Sequence, residues 1–186
     1  MIISKPNQAG INQAIAILKK GGVVVYPTDT AYALGGIYKS KKVGNKILKI
    51  KNRTDKKFTL VAASLAQVNK YFKLNACQQA LAKKYWPGSL SLVVSARFAV
   101  RVPKNYLAQI LAKKSGQPLI ATSANISGRV TIYDSQKVIK EFLGKKYQPD
   151  LILANGCLPK RKTSTIVQVF PKEIKIIRQG AVKIKF

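Results

Sequence analysis

Short apolar runs alternate along the chain with stretches of helical periodicity, and that alternation restricts the fold more than any other feature. Ile11, Ala14, Ile15 and Leu18 recur at helical spacing and stop at Gly21-Gly22. Val23–Tyr26 reads as a buried strand that Pro27 ends. Ser40 is placed to cap a helix through Val43, Ile47 and Ile50. Phe58–Ala63 reads as strand, and Ser64 and Asn75 open short helices, the second ending near Tyr85. Leu90–Ser95 and Val100–Val102 read as strands. Tyr106, Leu107, Ile110 and Leu111 form a helix that Gly116 terminates. Leu119–Thr122 is expected as strand and Ser135–Leu143 as helix. Leu151–Ala154, Ser164–Val169 and Ile174–Arg178 close the chain as strands, the last two forming a hairpin through Phe170-Pro171-Lys172-Glu173. The expectation is an α/β fold with a mixed sheet, in one domain spanning residues 1–186.

Charge narrows the chemistry. The chain carries 34 basic residues against 6 acidic ones, a net charge of +28, and no histidine. Histidine couples, histidine proton shuttles and His-ligated zinc are therefore excluded. Six scattered carboxylates leave little for a metal cage. Cys77 and Cys157 form no CxxC pair, which fits a reduced, cytoplasmic setting. No apolar run reaches the roughly 20 residues of a membrane span, and no signal-peptide core is expected. With 47% hydrophobic residues the chain can still bury a core. Its surface should attract polyanions, RNA above all. The excess is mostly lysine spread along the chain, however, and a solvated lysine surface accounts for the same number.

Polar residues collect where apolar runs end. Val23–Tyr26 leads into Pro27-Thr28-Asp29-Thr30-Ala31-Tyr32-Ala33-Leu34-Gly35, Leu119–Thr122 into Ser123-Ala124-Asn125-Ile126-Ser127-Gly128, and Ala154 into Asn155-Gly156. Ligands of α/β sheets gather beyond strand carboxyl ends, and small hydroxylated loops let a phosphate approach backbone N–H groups. Ordinary turn chemistry uses the same residues. The arginines say more than the lysines, since only six exist. Arg53, Arg101 and Arg178 adjoin these loops or strand ends, and a guanidinium forks onto phosphate or carboxylate as an ammonium cannot. Neither GxxxxGK[ST] nor GxGxxG occurs, so a nucleotide would be held by another device. The residues themselves indicate a cationic, hydroxyl-rich site for a polyphosphate and a small carboxylate.

Seven segments in order resemble one family: Pro27-Thr28-Asp29-Thr30-x-Tyr32-x-Leu34-Gly35, Lys51-x-Arg53, Trp86-Pro87-Gly88, Val100-Arg101-Val102-Pro103, Thr122-Ser123-Ala124-Asn125-x-Ser127-Gly128, Ser164-Thr165 and Ile177-Arg178-x-Gly180-Ala181. The chain is similar over about residues 10–182 to the YrdC/TsaC family of L-threonylcarbamoyladenylate synthases, in its short single-domain form. The resemblance implies a twisted mixed sheet with flanking helices and a concave substrate cleft. It implies a nucleotidyltransferase that converts L-threonine, bicarbonate or CO2 and ATP into L-threonylcarbamoyl-AMP and pyrophosphate. Partner transferases would pass the group to position 37 of tRNA, and Mg2+ would arrive with ATP. It places Lys51, Arg53, Lys57, Ser123, Asn125 and Arg178 at ATP, and Thr30, Arg101 and Ser164 at threonine. No side-chain nucleophile is implied and no protein-held metal. Phosphate oxygens and water are expected to hold the Mg2+, with Asp29 the only motif carboxylate available to it, and a turn-forming role suits Asp29 at least as well.

The chain departs from the family pattern at four points. Ala33 replaces the usual glycine of Tyr-Gly-Leu-Gly, Thr54 replaces a proline, and Ser89-Leu90-Ser91 follows Trp86-Pro87-Gly88. A histidine that some relatives carry near Ala62 is absent. A non-catalytic RNA-binding module of the same fold is the alternative expectation.

Overall fold

A computed structural model describes residues 1–184. In chain order the elements are β1 (Ile2–Ser4), α1 (Gln8–Lys19), β2 (Val24–Pro27), β3 (Tyr32–Gly35), α2 (Lys41–Lys51), β4 (Phe58–Val61), α3 (Leu65–Tyr71) and α4 (Ala76–Tyr85). There follow β5 (Leu90–Val93), β6 (Phe98–Arg101), α5 (Tyr106–Lys114), β7 (Leu119–Ser123), α6 (Ser135–Phe142), β8 (Leu151–Leu153), β9 (Thr165–Val169) and β10 (Ile174–Arg178). All ten strands join one mixed sheet in the order β1-β8-β2-β3-β7-β4-β6-β5-β9-β10. The α/β expectation holds, and β9 and β10 form the anticipated antiparallel hairpin, closed by Phe170 N–H donating to Glu173 O at 2.8 Å.

Local chemistry explains the helix starts. Asn7, Ser40, Ser64, Asn75, Asn105 and Asp134 each accept a first-turn amide with the side chain. The sequence reading assigns no strand to Ile2–Ser4 and treats Tyr32–Gly35 as loop, yet both are strands. β1 is too short to show a period. β3 is buried along its whole length, so the inside-outside alternation that marks a strand is missing. A tight turn delivers it: the Thr28 hydroxyl donates to Ala31 O and accepts the amides of Thr30 and Ala31. Gly35 is required here, because a Cβ would lie 1.9 Å from the Ile120 carbonyl oxygen.

The sheet's two faces are covered unequally. On one face α2 and α6 bring Val43, Ile47, Ile50, Val138 and Phe142 onto Val25, Leu34, Leu60, Val100 and Ile120. Farther along, α4 supplies Leu81 and Ala82 to Leu90, Leu92 and Val167. On the opposite face α1 and α5 pack Ala14, Leu18, Ala108 and Leu111 against Val24, Tyr26, Leu119 and Leu151. These two helices contact β2, β4 and β8. Beyond them the second face shows small side chains. Thr59 pairs with Ala99 on one side and Ala121 on the other, and Ala33 pairs with Ser123. Residues paired in register share a face, and this row forms the floor of a cleft.

Candidate functional site

The cleft has a volume of about 850 Å³ and is lined by all nine expected residues: Thr30, Lys51, Arg53, Lys57, Arg101, Ser123, Asn125, Ser164 and Arg178. It lies across the sheet face and runs over the ends of β3 and β7 to residues 125–131, rather than only beyond strand ends as the loop argument suggests. Five of the six arginines line it, against two of the many lysines. A general cationic bias would favour lysine here as elsewhere. The arginines are therefore placed, and the lysines mostly coat the surface.

At the deep end β6 carries Arg101 inward, with only 5% of its side chain exposed. Its Nη1 donates to both carboxylate oxygens of Asp29, at 2.8 and 3.0 Å, and its Nη2 to Thr30 Oγ1 at 3.2 Å. Asp29 also accepts from Ser89 Oγ at 3.3 Å and from the Lys104 amide at 3.4 Å. Its side chain is 6% exposed and does not line the cleft. Asp29 thus braces Arg101 from behind, and its carboxylate bonds to Arg101, Ser89 and the Lys104 amide rather than to the turn it stands in. Opposite, Arg178 donates through Nε and Nη2 to Ser164 O, at 3.0 and 2.8 Å, and through Nη2 to Ser164 Oγ at 3.0 Å. Ser91 Oγ donates to Ser164 Oγ at 3.0 Å. Burial, and then the Arg101 charge, push the Arg178 guanidinium below its ordinary value. Ser164, expected at threonine, and Arg178, expected at ATP, are therefore one hydrogen-bonded unit beside Arg101.

The mouth is looser. Arg53 Nη2 donates to Asp55 Oδ2 at 2.8 Å and to Lys57 O, and its guanidinium lies 5.5 Å from the centre of the Phe58 ring. The Lys57 amide donates to Asp55 Oδ1 at 2.9 Å. That bond, ahead of the Arg53 contact, holds the Asp55 carboxyl below its usual range. Among the described residues the Lys57 ammonium has no partner, and the residue is exposed.

Lys51 lines the cleft with its protons already committed. Its Nζ donates to Ser123 O and Asn125 O, both at 2.7 Å, and to Asn125 Oδ1 at 3.3 Å. The residue is 3% exposed. Burial, with a smaller contribution from the Arg53 charge, lowers its pKa to about 8. Asn125 in turn donates Nδ2 to Arg129 O and Val130 O. Glu141 accepts from the Ile126 amide at 2.9 Å and from Arg129 at 3.1 Å. Gly128 supplies the positive φ of 82° that this loop needs. Lys51 and Asn125 shape the 123–130 loop through its own groups.

Sequence reasoning missed Arg97 and Arg129, which also line the cleft. Their rarity as arginines in a lysine-rich chain is the signal that could have found them. Among the described residues no group of three or more His, Cys, Asp or Glu side chains could hold a metal ion. No helix among them is long and apolar enough to cross a membrane.

Comparison with known proteins places this geometry. The Sua5/YciO/YrdC family model, described as "Telomere recombination", matches residues 16–180. The chain belongs to the Sua5/YciO/YrdC family. It is 31% identical over 195 residues to the uncharacterised protein YciO of Escherichia coli K12, covering 97% of this chain and 93% of YciO. It is 36% identical over 152 residues to threonylcarbamoyl-AMP synthase of Psychromonas ingrahamii, covering 73% and 80% of the two chains. The crystal structure of P. abyssi Sua5 complexed with L-threonine superposes with a TM-score of 0.85 at 27% identity. That match covers 96% of this chain and 56% of Sua5, so this family member spans little more than half the length of that protein.

Proposed function

We propose that the protein is a threonylcarbamoyl-AMP synthase, a nucleotidyltransferase that joins L-threonine, bicarbonate or CO2, and ATP. The observation that carries this reading is the concentration of arginines in one cleft with two chemically different ends. The buried Arg101, with Thr30 beside it, suits the carboxylate and hydroxyl of a small amino acid. The half-buried Arg53 and the exposed Lys57 suit a polyphosphate. Arg178 and Ser164 sit beside Arg101, and the amino-acid nitrogen and the α-phosphate would meet next to them. The relatives named threonylcarbamoyl-AMP synthase and the threonine complex of Sua5 support the same assignment.

Threonine's neutral amine attacks CO2, forms the N–C bond and releases a proton to give a carbamate. A carbamate oxygen then attacks the α-phosphorus, and the bond to pyrophosphate breaks with its electron pair. No side-chain nucleophile enters either step. The protein contributes positioning, charge neutralisation and exclusion of water. Mg2+ enters with ATP as part of the substrate, because Asp29 and Asp55 are turned to arginines and offer no cage. The setting is cytoplasmic, with transferase partner proteins that carry the threonylcarbamoyl group to tRNA and a lysine surface suited to tRNA contact.

Incubation with ATP, threonine and bicarbonate, omitting each in turn, tests the reading. Mass detection of threonylcarbamoyl-AMP only in the complete mixture is the expected result. Salt-sensitive RNA binding without pyrophosphate release would replace the enzyme with a non-catalytic RNA-binding module.

A further inference from the structure

Arg97 stands at the mouth of the cleft, outside the family motifs, and its surroundings give it a use. It closes the turn Ser95-Ala96-Arg97 between β5 and β6, and all three residues line the cleft. Ser95 Oγ accepts the amides of Arg97 and Phe98, at 3.3 and 3.1 Å. Arg97 O accepts the Phe58 amide at 2.8 Å, which ties the turn to β4. The backbone under Arg97 is therefore fixed from both sides.

The side chain is placed as well. The Arg97 guanidinium lies 5.5 Å from the Phe98 ring centre, as that of Arg53 lies 5.5 Å from the Phe58 ring centre. Phe58 and Phe98 are direct partners on the adjacent parallel strands β4 and β6. Two arginines are thus carried on a pair of neighbouring rings at one corner of the cleft, with Lys57 next to them in the lining. A guanidinium over an aromatic face keeps its N–H edge free for a ligand.

Partner accounting separates Arg97 from the other cleft arginines. Arg53, Arg101 and Arg129 each pair with a carboxylate, and Arg178 bonds to Ser164. Among the described residues Arg97 makes no ion pair and its guanidinium no hydrogen bond. Among the described residues Asp55 is the one carboxylate bonded at this corner, through the Arg53 guanidinium and the Lys57 amide, while three cationic side chains line the cleft there. Like charges gathered with so little compensation favour a multiply charged anion between them.

We propose that Arg97, with Arg53 and Lys57, forms a binding site for the terminal phosphates of a nucleoside triphosphate, and holds pyrophosphate as it leaves. The assignment deepens the proposed reaction and rests on it for the identity of the nucleotide, but the anion site itself does not.

Calorimetric titration of the full chain with inorganic pyrophosphate, and separately with AMP, tests the site. Arg97→Gln should weaken pyrophosphate about tenfold, the loss typical of one charge-assisted contact, and leave AMP unchanged. Arg97→Lys should recover only part of the loss. Unchanged pyrophosphate affinity in Arg97→Gln, equal weakening of both ligands, or no pyrophosphate binding by the unaltered protein would overturn the proposal. If pyrophosphate binding depends on Arg97 while no adenylate forms, the reaction falls and the anion site stands.

Discussion

The two ends of the cleft are built on different principles. At the deep end Arg101 is buried against Asp29 and Thr30, and beside them the buried Ser91 and Ser164 hold the more exposed Arg178, so both guanidinium groups are fixed in advance. At the mouth Arg53, Lys57 and Arg97 sit on rings and turns, partly or wholly in water, with one exposed carboxylate among them. A small substrate selected by shape needs a rigid pocket, whereas a flexible polyphosphate is caught by charge at little ordering cost. A pocket prepared in this way also loses more when one member is removed.

Removing the acidic brace at each end should break the comparison most visibly. Asp29→Ala strands a buried guanidinium and should lower stability by about 3–5 kcal/mol in urea unfolding. Asp55→Ala at the mouth should change it by no more than about 0.5 kcal/mol. Similar losses at both sites would mean that the two ends do not differ as described.

Lys51 lies between the ends and should give an intermediate effect. Lys51→Met leaves three loop oxygens without their donor, at about 1–3 kcal/mol for a buried group left unpaired. The same residue gives a pH signature. Unfolded lysine holds its proton to about 10.4, and the folded residue to about 8. Between those values the unfolded chain binds more protons, so the stability contributed through Lys51 rises with pH. Catalysis should move the other way, because a neutral amine has two N–H groups for three acceptors. The expected outcome is falling adenylate formation above about pH 8, with a stability increment that Lys51→Met abolishes. A pH profile of Lys51→Met identical to that of the unaltered protein would remove the clamp.

The smallest effect belongs to the floor. Ala33→Gly restores the residue usual in the family pattern and removes one methyl from the cleft. It should cost about 0.5–1 kcal/mol of stability as a glycine in a strand and shift threonine affinity by only a few fold. A large gain in threonine affinity would instead identify Ala33 as a specificity element.

Much of this was readable in the residues, and the gaps have physical causes. Strands and helices declared themselves where periodicity and caps agreed, as at Ser40 with Val43, Ile47 and Ile50. β3 did not, because burial on both faces erases alternation. Cleft-lining residues were legible as scarce arginines beside hydroxylated loops. Their division of labour was not: Arg178 and Ser164 lie 14 positions apart, and only the β9–β10 hairpin joins them. The commitment of Lys51 to the 123–125 loop was equally hidden, since it spans more than 70 residues of sequence.

Separate calorimetric titrations of L-threonine and ATP into Arg101→Lys and Arg53→Gln test the division most directly. Arg101→Lys keeps a cation against Asp29 but loses the guanidinium fork. It should weaken threonine by more than about tenfold and leave ATP nearly unchanged, while Arg53→Gln does the reverse. Equal weakening of both ligands in both variants would contradict a cleft divided between amino acid and polyphosphate.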